Sequence, residues 1–143
     1  MVVRYTVVLE VAKATETPNE TRTSNGSDSA PVGFIPVAKV NDISEGAMVG
    51  SMVSGIPILI SRIGGSFYAM EAVCSHFFGY LPKGELRGNV VICPVHKAQY
   101  DARTGKVVKN VPGLMKLAGG GKLASDLRTF EIRVVGDSIL VKA

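Results

Sequence analysis

Apolar, β-branched runs alternate with glycine-centred turn signals over most of the chain. Phe34-Ile35-Pro36-Val37 leads into Ala47–Val53 and then Ile56–Ile63. Gly64-Gly65 follows, a dipeptide suited to the positive φ angles of a tight hairpin, and Phe67–Val73 completes it. Gly88-Asn89 launches Val90-Val91-Ile92, and Gly136-Asp137 separates Glu131–Val135 from Ser138–Val141. Several short strands with such turns predict an all-β, antiparallel sandwich or barrel. Asp42-Ile43-Ser44-Glu45 has the composition of one helical turn.

The flanks are different material. Residues 1–12 include Val2-Val3-Arg4-Tyr5-Thr6-Val7-Val8-Leu9, read as an N-terminal strand. Residues 13–32 are Thr, Ser, Asn, Glu and Pro with almost no large apolar side chain. They cannot bury enough surface to offset their ordering entropy, so a polar linker or surface loop is expected. Residues 33–143 then form one domain. Within it Val111–Ser125 carries Pro112 and Gly119-Gly120-Gly121, and reads as a long excursion with one short helix. Gly121-Lys122 lacks the spacing and the following Ser/Thr of a phosphate-binding loop.

Composition narrows the partners. The 143 residues are 46% hydrophobic and 20% charged, which suits a globular domain with a real core. The formal net charge of +4 comes from scattered Lys and Arg rather than basic runs, so nucleic acid is not expected. Arg4, Glu10 and Lys13 interrupt the first apolar stretch, and no run reaches eighteen apolar residues. The expectation is a soluble, cytoplasmic protein without a membrane span. Asp42, Glu45, Asp126 and Glu131 show no paired spacing for acid–base work and read as surface charge.

The chemistry is concentrated in two clips. The chain has two Cys and two His, and all four lie in Cys74-Ser75-His76 and Cys93-Pro94-Val95-His96, sixteen residues apart. Each clip follows a predicted strand, so two loops at neighbouring strand ends can clasp one inorganic centre. Buried structural Cys and core His would not explain this clustering. A tetrahedral zinc site of two Cys and two His fits the donor set, although zinc ribbons and fingers usually place two Cys in one clip. A [2Fe–2S] centre with two His on one iron wants one Cys and one His from each loop.

Cys-x-His and Cys-x-x-His at this spacing resemble the signature of the Rieske family. Ala72-Val73-Cys74-Ser75-His76, Val91-Ile92-Cys93-Pro94-Val95-His96 and Tyr100-Asp101-Ala102-Arg103-Thr104-Gly105-Lys106 resemble that family's surroundings as well. The resemblance covers about Phe34 to Val141. It implies the Rieske fold, an antiparallel β-sandwich with a small cluster-binding subdomain at one end. It also implies one [2Fe–2S] cluster, with Cys74 and Cys93 on one iron and His76 and His96 on the other. Tyr100 matches the family's donor to a ligand cysteine. Ala98 stands where one branch has a serine donor to a cluster sulfur, and Lys97 where most members have Gly. The extra cysteine pair of the respiratory branch is missing, as in the soluble ferredoxins, archaeal members among them.

The function implied is that of a soluble ferredoxin moving single electrons between a reductase and an acceptor such as an oxygenase. The alternative is a small cluster-bearing subunit of a larger oxidoreductase, with a zinc-binding interaction module third. With both Cys and both His used by the cluster, no nucleophile, general base or second iron site remains, so the chain is not expected to be an enzyme itself. The contact face should gather Phe77, Phe78 and Tyr80 from the first loop with Val95 and Lys97 from the second. An apolar centre with a basic rim suits a redox partner that is acidic at the contact.

Overall fold

The computed structural model describes residues 30–113 and 123–143. The strand read over residues 1–12 and most of the polar stretch 13–32 lie outside the described residues, as does the glycine triplet of the excursion. Among the described residues there are ten strands. These are β1 (Ile35–Lys39), β2 (Met48–Val53), β3 (Ile56–Ile63), β4 (Ser66–Glu71), β5 (Glu85–Arg87), β6 (Val90–Ile92), β7 (Gln99–Asp101), β8 (Val107–Lys109), β9 (Thr129–Val135) and β10 (Ser138–Lys142). No helix among these residues is long and apolar enough to cross a membrane.

The strands form two antiparallel sheets, β1-β10-β9-β4-β3-β2 and β5-β6-β7-β8. The outer strands β1 and β2 of the larger sheet approach each other, so that sheet rolls around its own core. Ile43, Val53, Ile58, Ile60, Phe67, Ala69, Val134, Ile139 and Val141 fill that core. A second core, containing Leu59, Met70, Ala72, Leu81, Val91 and Tyr100, lies where the smaller sheet packs on the larger one. Successive residues of a strand face opposite sides, which explains β3. Ile58 and Ile60 enter the first core and Leu59 the second, so a run apolar at every position is buried on both faces.

The hairpins follow their turn chemistry. β3 and β4 pair with Ile63 opposite Ser66, and Gly64 and Gly65 take φ of 60° and 82°. Glu45 accepts hydrogen bonds from both glycine N–H groups, so it fastens the turn rather than serving as mere surface charge. Asp126 likewise accepts from the Val107 N–H at 2.9 Å. The helical turn expected at 42–45 falls earlier, as a 3-10 turn at Val40–Asp42.

One expectation is corrected. The strands preceding the two clips are not hydrogen-bonded neighbours, because β4 belongs to the larger sheet and β6 to the smaller. The first loop leaves β4, is closed by a bridge between Val73 and Tyr80, and enters a 3-10 turn at Leu81–Lys83. The second connects β6 to β7. The two loops meet because the sheets that carry them are packed through the second core.

Candidate metal centre

Both loops have the same backbone closure. In the first, the Cys74 N–H donates to the Gly79 carbonyl at 2.8 Å and the Phe78 N–H donates to the Cys74 carbonyl at 3.0 Å. In the second, the Cys93 N–H donates to the Ala98 carbonyl at 2.8 Å and the Lys97 N–H to the Cys93 carbonyl at 3.1 Å. The fourth residue after each cysteine turns left-handed, Phe78 at φ 57° and Lys97 at φ 65°. That conformation strains a residue with a Cβ, and loop closure holds it here. Lys97 therefore keeps the loop shape that a glycine would adopt more easily.

The matched loops present matched donors. The N–H groups of His76 and Phe77 bond the Cys74 sulfur, and those of Val95 and His96 bond the Cys93 sulfur. The two buried thiols also bond each other. That contact, opposed by burial and reinforced by Tyr100 and the backbone donors, lowers the Cys74 thiol to about 5. The same contact, together with burial, pushes Cys93 up. The Tyr100 hydroxyl, at the start of the same core, lies 3.1 Å from the Cys74 sulfur. Burial and the neighbouring sulfur raise the Tyr100 phenol, which stays protonated as a donor.

The imidazoles form a second pair. The His76 and His96 rings stand edge to face, 4.8 Å apart. His76 is 0% exposed, and among the described residues neither of its nitrogens has a hydrogen-bond partner; the buried Nδ1 of His96 has none either. Unpartnered buried nitrogens are costly, so three of them at one spot call for a ligand. Among the described residues no three His, Cys, Asp or Glu side chains gather round one point, as a single tetrahedral ion requires. The donors are instead sorted, sulfur with sulfur and nitrogen with nitrogen. Two metal atoms, each with its own pair, fit that arrangement, and thiolate with imidazole is a donor set that iron–sulfur chemistry uses.

The remaining residues singled out in the sequence divide. Phe77 is 52% exposed, with its ring 5.8 Å from both imidazoles, and Phe78, 77% exposed, stacks on it at 6.5 Å. Val95, 51% exposed, and Lys97 occupy the exposed side of the second loop. Tyr80 lies instead across β2, its phenol against Gly50, where a side-chain carbon would collide with it. Ala98 is fully buried, and its methyl offers no hydrogen bond. Two residues escaped the sequence reading. Gly79 passes so close to the other loop that a Cβ there would lie 2.6 Å from the Cys93 sulfur and 2.9 Å from the Val95 Cγ2. Ser75, between two candidate ligands, bonds Tyr100 and Ser125. Only the pairing of distant segments reveals either.

Comparison with known proteins agrees with this geometry. Residues 33–131 match the Rieske [2Fe-2S] domain. The ferredoxin component of biphenyl 2,3-dioxygenase from Rhodococcus jostii (strain RHA1) is 33% identical over 105 residues, 73% of this chain and 88% of that protein. The ferredoxin of carbazole 1,9a-dioxygenase from Nocardioides aromaticivorans IC177 superposes with a TM-score of 0.64 at 26% identity, over 76% of this chain and 95% of that one. A chain solved in a complex of reduced oxygenase and oxidized ferredoxin in carbazole 1,9a-dioxygenase gives 0.63 at 25% identity, over 77% and 93%. The chain belongs to the Rieske [2Fe–2S] domain family. Within it, the chain is a ferredoxin, an electron carrier with one [2Fe–2S] cluster rather than a catalytic subunit.

The close approach at Gly79 generates a test. Gly79→Ala must push the two loops apart by several tenths of an ångström at the Cys93 sulfur. Purified Gly79→Ala protein should carry several-fold less iron per chain, with far-ultraviolet circular dichroism unchanged. Iron content equal to that of the parent would contradict the tight approach of the loops.

Proposed function

We propose that Cys74 and Cys93 hold one iron of the cluster and His76 and His96 the other, and that the protein passes single electrons from a reductase to an oxygenase. The observation that carries this is the sorting of donors into a thiol pair and an imidazole pair, the latter with buried nitrogens that have no partner among the described residues. The bound cluster supplies reversible one-electron chemistry at a potential above that of four-thiolate ferredoxins. The chain's own work is to hold and tune it. Backbone N–H groups of both loops and the Tyr100 hydroxyl stabilise negative charge on the sulfurs. Ala98 adds no such bond. The Phe77 ring covers the imidazoles from one side. That a similar chain was solved together with an oxygenase supports the choice of acceptor. A reducing cytoplasmic compartment would keep the two ligand cysteines available to the cluster.

The docking face on this reading is the loop tip, with Phe77, Phe78 and Val95 at its centre and Lys97 and Tyr80 at its rim. Neither loop contains an acidic residue between Cys74 and Tyr80 or between Cys93 and Ala98. A partner acidic at the contact is therefore favoured.

Two experiments test these assignments. The purified protein should contain about two iron and two acid-labile sulfide per chain. Cys74→Ser or Cys93→Ser should lose both, whereas His76→Ala or His96→Ala should leave a labile or altered centre. Stoichiometric zinc without sulfide would refute the cluster assignment. For the face, electron transfer to an oxygenase should slow as salt rises, because screening weakens attraction between exposed charges. Lys97→Glu should slow it further with the cluster spectrum intact. A changed spectrum with unchanged salt dependence would place Lys97 in the support of the cluster, not at the contact.

A further inference from the structure

Ser75 stands between two proposed ligands, and its hydroxyl is engaged on two sides, by Ser125 and by Tyr100. Ser75 Oγ donates to the Ser125 carbonyl at 2.7 Å and accepts from the Ser125 N–H at 2.8 Å. Ser125 is held there from the other side. Its neighbour Ala124 donates its N–H to Asn110 Oδ1 at 2.9 Å, and its carbonyl accepts from Asn110 Nδ2 at 3.1 Å. A serine hydroxyl has one hydrogen to give. Because Ser125 takes that hydrogen, the 3.0 Å contact between Ser75 Oγ and the Tyr100 oxygen has Tyr100 as its donor.

Tyr100 also has one hydrogen. Its oxygen accepts from the Ser75 N–H at 3.2 Å, which leaves the hydroxyl hydrogen facing two acceptors, Ser75 Oγ at 3.0 Å and Cys74 Sγ at 3.1 Å. Two acceptors at nearly equal distance divide a single donor. A hydrogen bond to a ligand sulfur favours the reduced, more negative cluster, so any share taken by Ser75 is lost to the potential.

We propose that Ser75 is a positioning residue that divides the Tyr100 hydrogen bond between itself and the Cys74 sulfur, and so keeps the midpoint potential below the value an undivided Tyr100 bond would set. This rests on Cys74 being a cluster ligand. Ser125, fixed by Asn110, keeps Ser75 an acceptor by consuming its hydrogen.

The test is voltammetry of the cluster-loaded full chain, with iron and sulfide measured on every variant. Ser75→Ala should raise the midpoint potential, so that at a fixed solution potential the reduced-to-oxidised ratio increases roughly two- to fivefold. Ser75→Thr, which keeps the hydroxyl, should leave it unchanged. Tyr100→Phe should lower it, and adding Ser75→Ala to Tyr100→Phe should produce no further shift. Ser75→Gly removes the same acceptor and should raise the potential as Ser75→Ala does, in case Ser75→Ala loads poorly. An unchanged or lowered potential in fully loaded Ser75→Ala or Ser75→Gly would overturn the proposal while leaving the ligand assignment intact. A rise that persists without the Tyr100 hydroxyl would overturn it too, since Ser75 would then act by another route. Loss of iron and sulfide from Cys74→Ser is the separate check on the ligand.

Discussion

Three imidazole nitrogens lie buried at the apex of this protein with no hydrogen-bond partner among the described residues, and a folded chain does not keep such groups without a partner. Burying an unbonded polar atom carries a free-energy penalty of about 1–3 kcal/mol, a large share of the margin by which a domain of this size is stable. On the proposed ligand assignment, the apex is organised around the cluster. The sulfurs tell the same story in a different way. They are crowded into contact, and each faces two backbone N–H groups. Those donors are arranged for thiolates, and a cluster keeps both sulfurs in that state.

The rest of the fold supplies the rigidity this requires. The two loops hang from different sheets, so their separation is set by how the sheets pack, not by a hydrogen-bonded ladder between them. Leu59, Met70, Ala72, Leu81, Val91 and Tyr100 fill the space between the sheets, together with Cys74 and Cys93 themselves. Tyr100 is the residue in which these roles join. Its ring is part of the packed core, and its hydroxyl reaches the sulfur of the opposite loop. The strain at Phe78 and Lys97 belongs to the same design. Each loop must turn sharply after its histidine, and the closing bonds to the cysteine backbone enforce that turn on residues that do not favour it.

How much of this was legible in the sequence depended on whether the signal was local. The Gly64-Gly65 hairpin and strands β3 and β6 were readable, because composition and turn chemistry act within a few residues. So were the two clips, since ligand spacing is itself a local property, and Tyr100 met its cysteine as the resemblance implied. β5, β7 and β8 are only three residues each, too short for an alternating pattern to show, and they exist because the smaller sheet pairs them. The helical turn slipped because Asp42 closes it with its side chain on the Lys39 N–H instead of beginning it. The neighbouring-strand arrangement of the clips failed for a topological reason, the switch of sheets between β4 and β6. That Tyr80 lays its phenol over Gly50 of β2 was not readable either, since the two are thirty residues apart. Gly79 and Ser75 were invisible because their meaning lies in Cys93 and Ser125, residues far along the chain.

The central claim is that one iron carries both imidazoles. Pulsed electron paramagnetic resonance of the reduced protein, grown with 15N-labelled histidine, measures this directly. Two directly coordinated, label-sensitive nitrogens are predicted in the parent, and one fewer in a His76 or His96 variant that retains a cluster. A reduced cluster showing no coupling to histidine nitrogen would contradict the account.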